Sequence, residues 1–180
     1  NAGQIKKALQ MISEYEKDLP FHLKLSLLKA HLLESNGHYQ EALYLLKSIW
    51  QKQPSLEVNR KLFYLERDHG SAYEALKWLS HLQKQNPKDV LLWKEKGFLH
   101  KRLKQLKEAI AAYRIYLNNL SDFQIERELG YLLLANGQYK EALQVFQKVL
   151  QVCPETCPNE LASSADLLKR LGRPQEALML

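Results

Sequence analysis

No run of about 18 uninterrupted apolar residues occurs anywhere in the sequence, so a membrane-spanning helix is excluded. The first residues also lack the basic-then-apolar order of a secretory leader. Asn1 and Ala2 read as an expression scar fused to a segment already inside a helical pattern, which leaves the compartment, cytoplasmic or periplasmic, open. Cysteine is scarce: Cys153 and Cys157 stand alone in VCPETCPNE. One such pair cannot staple a chain of 180 residues, and Cys-x-x-x-Cys without a second ligand pair is a poor zinc signature. A disulfide is expected if the protein is exported, and free thiols otherwise.

Signatures of chemistry are missing as well. The six histidines, at positions 22, 31, 38, 69, 81 and 100, show no metal-binding spacing on a shared helix face. No Gly-x-Ser-x-Gly elbow or phosphate-cradling glycine loop is present. Glu126 and Glu128 are two apart and point to different sides of a helix, so they form no acid–base pair. The expectation is a chain with no catalytic residues, no cofactor and no metal.

What is present is a mixed composition, 46% hydrophobic and 26% charged, suited to a folded soluble domain. The net charge of +6 fits an acidic partner, although 26 basic and 20 acidic residues spread along helices also describe a solvated surface.

The informative feature is repetition. NGHYQEALYLLKSIWQKQP from Asn36 returns as NGQYKEALQVFQKVLQVCP from Asn136. In the first copy Tyr39, Ala42, Leu43, Leu46, Ile49 and Trp50 fall on one face of a helix, and Tyr139, Ala142, Leu143, Phe146, Val149 and Leu150 repeat that face. Flanks of period near 3.6 make Asn36-Gly37 the end of a preceding helix, with Gly37 left-handed, rather than a hairpin turn. Ala8, Ala42, Ala75, Ala109, Ala142 and Ala177 follow one another at 34, 33, 34, 33 and 35 residues. Gly3, Gly37, Gly70, Gly137 and Gly172 each precede one of these alanines by five residues, and Pro20, Pro54, Pro87 and Pro154 each follow one by twelve. Such placement describes a unit of helix A, a glycine turn, helix B and a proline stop, stacked in an array. Gly97 and Gly130 fall inside helix A, where with the alanine of helix B they allow close approach of two backbones.

The pattern resembles the tetratricopeptide repeat, whose signature combines Trp, Leu-Gly, Tyr, a Gly turn, Tyr, Ala, an aromatic, Ala and Pro over about 34 residues. Trp93, Gly97, Ala109, Ile110 and Tyr113 match it in one unit, and Leu129, Gly130, Gly137, Tyr139, Ala142, Phe146 and Pro154 in the next. Lys104 and Ser121 stand where one unit should have its turn glycine and final proline. The resemblance implies an all-α, right-handed superhelical solenoid of antiparallel helix pairs. Residues 1–20 would be a lone helix B, followed by repeats at 21–54, 55–88, 89–121 and 122–156 and a partial unit at 157–180, all in one solenoid domain. The last unit, ending in Leu178, Met179 and Leu180, is expected either to continue into more repeats or to be covered by a neighbouring chain in end-to-end self-association.

Solenoids of this kind bind along the A helices, so function is sought there. One residue past the glycine register, His31, Tyr64, Phe98 and Tyr131 form a ladder at steps of 33, 34 and 33. Four residues earlier lie Leu27, Arg60, Lys94 and Arg127, and three residues later Glu34, Arg67, Lys101 and Leu134. Aromatic faces beside Arg60, Arg67, Lys94, Lys101 and Arg127 suit an extended peptide or partner helix bearing acidic groups. The alternative is that the rings pack against the next A helix while the cations are solvated. Relatives that clamp chaperone C-termini need an Asn that neither Leu27 with His31 nor Arg60 with Tyr64 supplies. The asparagine ladder of the protein O-linked glucosamine transferase is replaced by Leu28, Lys61, Glu95 and Glu128. The expected function is a non-catalytic protein–protein interaction scaffold. A periplasmic scaffold of a bacterial envelope or polysaccharide-export assembly is the alternative, and nucleic-acid binding is not expected because no base-reading code position recurs.

Overall fold

In the computed structural model, which describes residues 2–18, 21–153 and 157–179, helices are the only regular elements among the described residues. The chain divides into two compact units, residues 1–88 and 89–180.

The first unit holds α1 (Ala2–Asp18), α2 (Leu23–Ser35), α3 (Tyr39–Lys52), α4 (Leu56–His69) and α5 (Ala72–Gln85). Each helix packs on the next in chain order, so sequence neighbours are spatial neighbours. Apolar residues recurring at helical spacing drive this: Ala42, Leu46 and Ile49 of α3 close on Ala30 and Leu33 of α2 and on Val58 and Leu62 of α4 in one core. Trp50 meets Trp78 edge to face, with ring centroids 5.6 Å apart, which ties α3 to α5. No charge pattern would show the tie between α3 and α4: Lys47 reaches the buried Glu66 carboxylate at 2.8 Å.

The second unit holds α6 (Leu91–Arg102), α7 (Leu106–Leu117), α8 (Phe123–Ala135), α9 (Tyr139–Val152), α10 (Pro158–Arg170) and the short α11 (Pro174–Ala177). Its core gathers Ala109 and Tyr113 of α7, Leu129 and Leu133 of α8, Phe146 of α9, and Leu167 and Leu168 of α10. The period-marking Ala42, Ala75, Ala109 and Ala142 are all 0% exposed, so the alanine register is the packing register of helix B.

The small residues of helix A do something more specific than bring backbones together. A Cβ on Gly97 would stand 2.2 Å from the Tyr113 ring, and one on Gly130 would stand 2.5 Å from the Phe146 ring. Both glycines therefore clear space for an aromatic side chain four residues past the helix B alanine. In the α4–α5 pair the corresponding helix A position is Phe63, fully buried, with Leu79 on helix B, so the large and small partners are exchanged.

Turns follow the sequence closely. Gly37, Gly137 and Gly172 have φ of 81°, 77° and 73°, the left-handed region that glycine enters without steric cost. Lys104 takes the same conformation, φ 58°, where the array has no glycine to offer. Gly70 differs, with φ −121°, and there the Glu66 carboxylate fills the space a side chain would need.

Candidate functional site

In the first unit the A helices are α2 and α4. His31 is exposed on α2. One helix on, Tyr64 is 46% exposed, and the Arg67 guanidinium lies 4.8 Å from its ring centroid. Arg67 also makes a two-point contact with the neighbouring Asp68, at 2.7 and 3.0 Å, which orients the guanidinium over the ring. Between the two helices Glu34, Leu56, Glu57, Arg60, Lys61 and Tyr64 line an open depression of about 620 Å³. Arg60 is exposed and forms no ion pair with a described residue. Leu27, at the register of Arg60, is buried in the core instead.

The second unit carries the same register on α6, α8 and α10 with a different electrostatic outcome. Phe98 is 37% exposed, with Lys101 and Arg102 each 5.9 Å from its ring. Lys101 donates to Glu128 at 2.7 Å, and Glu128 also accepts the Tyr113 hydroxyl at 2.9 Å. Lys94 donates to Asp122 at 2.7 Å, and Asp122 accepts the Tyr116 hydroxyl at 3.0 Å. Arg127 reaches Glu160 of α10, which also accepts the Tyr131 hydroxyl at 2.9 Å. Tyr131 sets its ring against Phe146, centroids 5.0 Å apart, so it is half-buried rather than presented.

Sequence reasoning set Lys94, Lys101 and Arg127 beside the aromatic ladder and missed their carboxylates. Asp122, Glu128 and Glu160 come from the next A helix, 27 to 33 residues downstream. The signal that finds them is an acidic residue about one repeat after each cation.

These contacts shift the groups in consistent directions. Burial pushes the Asp122 carboxyl up, but hydrogen bonds from Lys94, the Ile125 N–H and Tyr116 hold it below the usual carboxylate range. Glu160 behaves alike: burial opposes ionisation, and the Arg127 and Tyr131 hydrogen bonds overcome it. Hydrogen bonding to Asp122 holds the Lys94 ammonium above its ordinary value. Tyr113 is pushed well up, by burial first and by Glu128 second. Each of these groups is stabilised as a structural ion or a neutral phenol, not poised near neutral pH for proton transfer.

Residues 125–156, which span α8 and α9, match the tetratricopeptide repeat model. The fold is a tetratricopeptide-repeat fold. MamA, in one crystal structure, shares it with a TM-score of 0.70 and 16% identity, over 87% of this chain and 86% of that one. MamA from Desulfovibrio magneticus RS-1, beginning at its residue 41, gives 0.66 and 18% over 83% and 85%. A tetratricopeptide repeat protein from Parabacteroides merdae ATCC 43184 gives 0.67 and 19% over 98% and 71%. No curated protein matches the sequence. Tetratricopeptide-repeat folds are scaffolds that bind other proteins and are generally without enzymatic activity. Among the described residues, no helix is long and apolar enough to cross a membrane.

Proposed function

We propose that this chain is a non-catalytic scaffold that holds a peptide or partner helix on its A-helix faces. The observation that carries the reading is the α2–α4 depression, where an exposed Tyr64 ring, an overlying Arg67 and an Arg60 in no ion pair with a described residue converge. The ring offers apolar area at low entropic cost, and Arg60 offers a charge that is in no ion pair with a described carboxylate. An acidic or carboxylate-bearing segment suits that combination. On α6 and α8, Lys94, Lys101 and Arg127 are already neutralised, so Phe98 and Tyr131 would contribute contact area more than charge there. Nucleic acid is not the partner in this reading, because a phosphate backbone needs a run of unspent cations.

Selection from a random peptide display library tests it. Peptides enriched on the wild type should carry acidic residues beside an apolar anchor and should be lost on the Tyr64→Ala, Phe98→Ala, Tyr131→Ala variant at unchanged helicity. Enrichment that survives all three substitutions would place binding elsewhere.

A second reading, a scaffold of the periplasm within a bacterial envelope or polysaccharide-export assembly, is favoured by one observation: Cys153 and Cys157 are paired as a disulfide. Leu178 and Met179, 86% and 85% exposed, would serve end-to-end association of copies, which sedimentation at rising concentration would show as a growing mass.

A further inference from the structure

Four of the A helices begin with a side chain that accepts a hydrogen bond from the first turn. His22 Nδ1 takes the Leu25 N–H at 3.3 Å on α2, and Ser55 Oγ takes the Val58 N–H at 3.3 Å on α4. Asp89 Oδ1 takes the Leu91 N–H at 3.1 Å at the start of α6, and Asp122 Oδ1 takes the Gln124 and Ile125 N–H groups at 3.1 and 3.2 Å on α8. Such caps fix the point at which a helix starts. The fifth, α10, begins differently. Its cap residue Cys157 makes no side-chain cap bond and is instead bonded through sulfur to Cys153, the residue that ends α9.

Two further contacts depend on where Cys157 sits. Its carbonyl accepts the Leu161 N–H at 3.1 Å, the opening hydrogen bond of α10. Three residues on, the fully buried Glu160 accepts Arg127 and Tyr131 of α8. The first turn of α10 is thus held to α9 by a covalent bond and to α8 by a carboxylate.

We propose that the Cys153–Cys157 disulfide is a reducible latch that seats the first turn of α10 on α8 and α9, and that a dithiol reductant opens it. Cys157 is 3% exposed and Cys153 is only half-buried, so an incoming thiolate attacks the Cys153 sulfur and Cys157 departs as the thiolate. The second thiol of the reductant then closes on the mixed disulfide. Two electrons pass to the protein, Cys153 and Cys157 end as thiols, and the reductant ends as its cyclic disulfide. With the latch open, the start of α10 loses its covalent tie to α9 and has no side-chain cap to replace it, so its first turn frays and Glu160 releases Arg127 and Tyr131 to the A-helix face. The reading rests on the disulfide and the cap geometry, and it stands whether or not that face binds a peptide.

Amide hydrogen exchange on the 180-residue chain tests it, oxidised and after treatment with dithiothreitol, with the Arg127 Nε–H signal followed in parallel. Amides of residues 161–165 should exchange at least tenfold faster in the reduced protein, the Arg127 Nε–H should lose protection, and amides of α6 and α7 should not change. The Cys153→Ala, Cys157→Ala variant should match the reduced protein and ignore the reductant. Equal protection of residues 161–165 in the two redox states overturns the proposal, as does a response of the double variant to dithiothreitol. Two titratable thiols after equilibration with oxidised glutathione overturn it too.

Discussion

Arg127 on α8 donates to a single oxygen of Glu160 on α10, from Nε at 2.8 Å and from a terminal nitrogen at 2.7 Å, and that glutamate is 0% exposed. A buried carboxylate keeps its charge only where hydrogen bonds replace the lost water, which Arg127 and Tyr131 do at Oε1, while the buried Oε2 has no hydrogen-bond partner among the described residues. Because the folded state holds Glu160 below its unfolded value, its contribution is complete above about pH 4.3, the ordinary glutamate value, and is lost as pH falls through the lower folded value. Glu160→Gln should lower stability at neutral pH by about 2 kcal/mol, less than a fully buried pair would lose because Arg127 stays partly hydrated. Urea titrations at pH 7 and pH 3 should show the gap between variant and wild type closing in acid. A gap of the same size at both pH values would contradict the assignment.

Lys104 supplies a second prediction. It occupies the left-handed region at the α6–α7 turn, where its Cβ crowds the following carbonyl. Lys104→Gly removes that crowding and adds chain entropy to the unfolded state, for a net gain of about 0.5 to 1 kcal/mol. A urea midpoint that rises at constant slope is the expected result, and a fall would show that Lys104 makes a contact worth more than its strain.

The aromatic clearance on helix A is testable at Gly130. Alanine there would place its methyl carbon 2.5 Å from the Phe146 ring, which must tilt or shift. Destabilisation of about 1 to 3 kcal/mol is expected, more than the gain in helix propensity returns. Pairing Gly130→Ala with Phe146→Leu should recover part of the loss, and additive losses would mean the two sites are not in contact.

The period was legible because each unit repeats the same packing problem. An alanine against helix A, a glycine at the corner and a proline after helix B solve it in nearly the same way each time, so Ala42 through Ala142 located the helices directly. The electrostatics of the candidate face were not legible. Whether Lys101 meets water or Glu128 depends on how far one A helix is displaced along the next, and no feature of α6 alone encodes that displacement. Arg127 is bound twice over for the same reason: Glu160, one repeat downstream on α10, lies where α8 can reach it. The cysteines were readable as a pair, but their bonding depended on a compartment that composition does not record.

The central claim is that the α2–α4 depression is a binding surface with a charge to spare. Its most direct test is a calorimetric titration of an enriched acidic peptide into the wild type, Tyr64→Ala and Arg60→Glu proteins. Affinity should fall tenfold or more in each variant, with the Arg60→Glu loss shrinking at high salt and circular dichroism unchanged in both. Equal affinity for all three proteins would contradict the account.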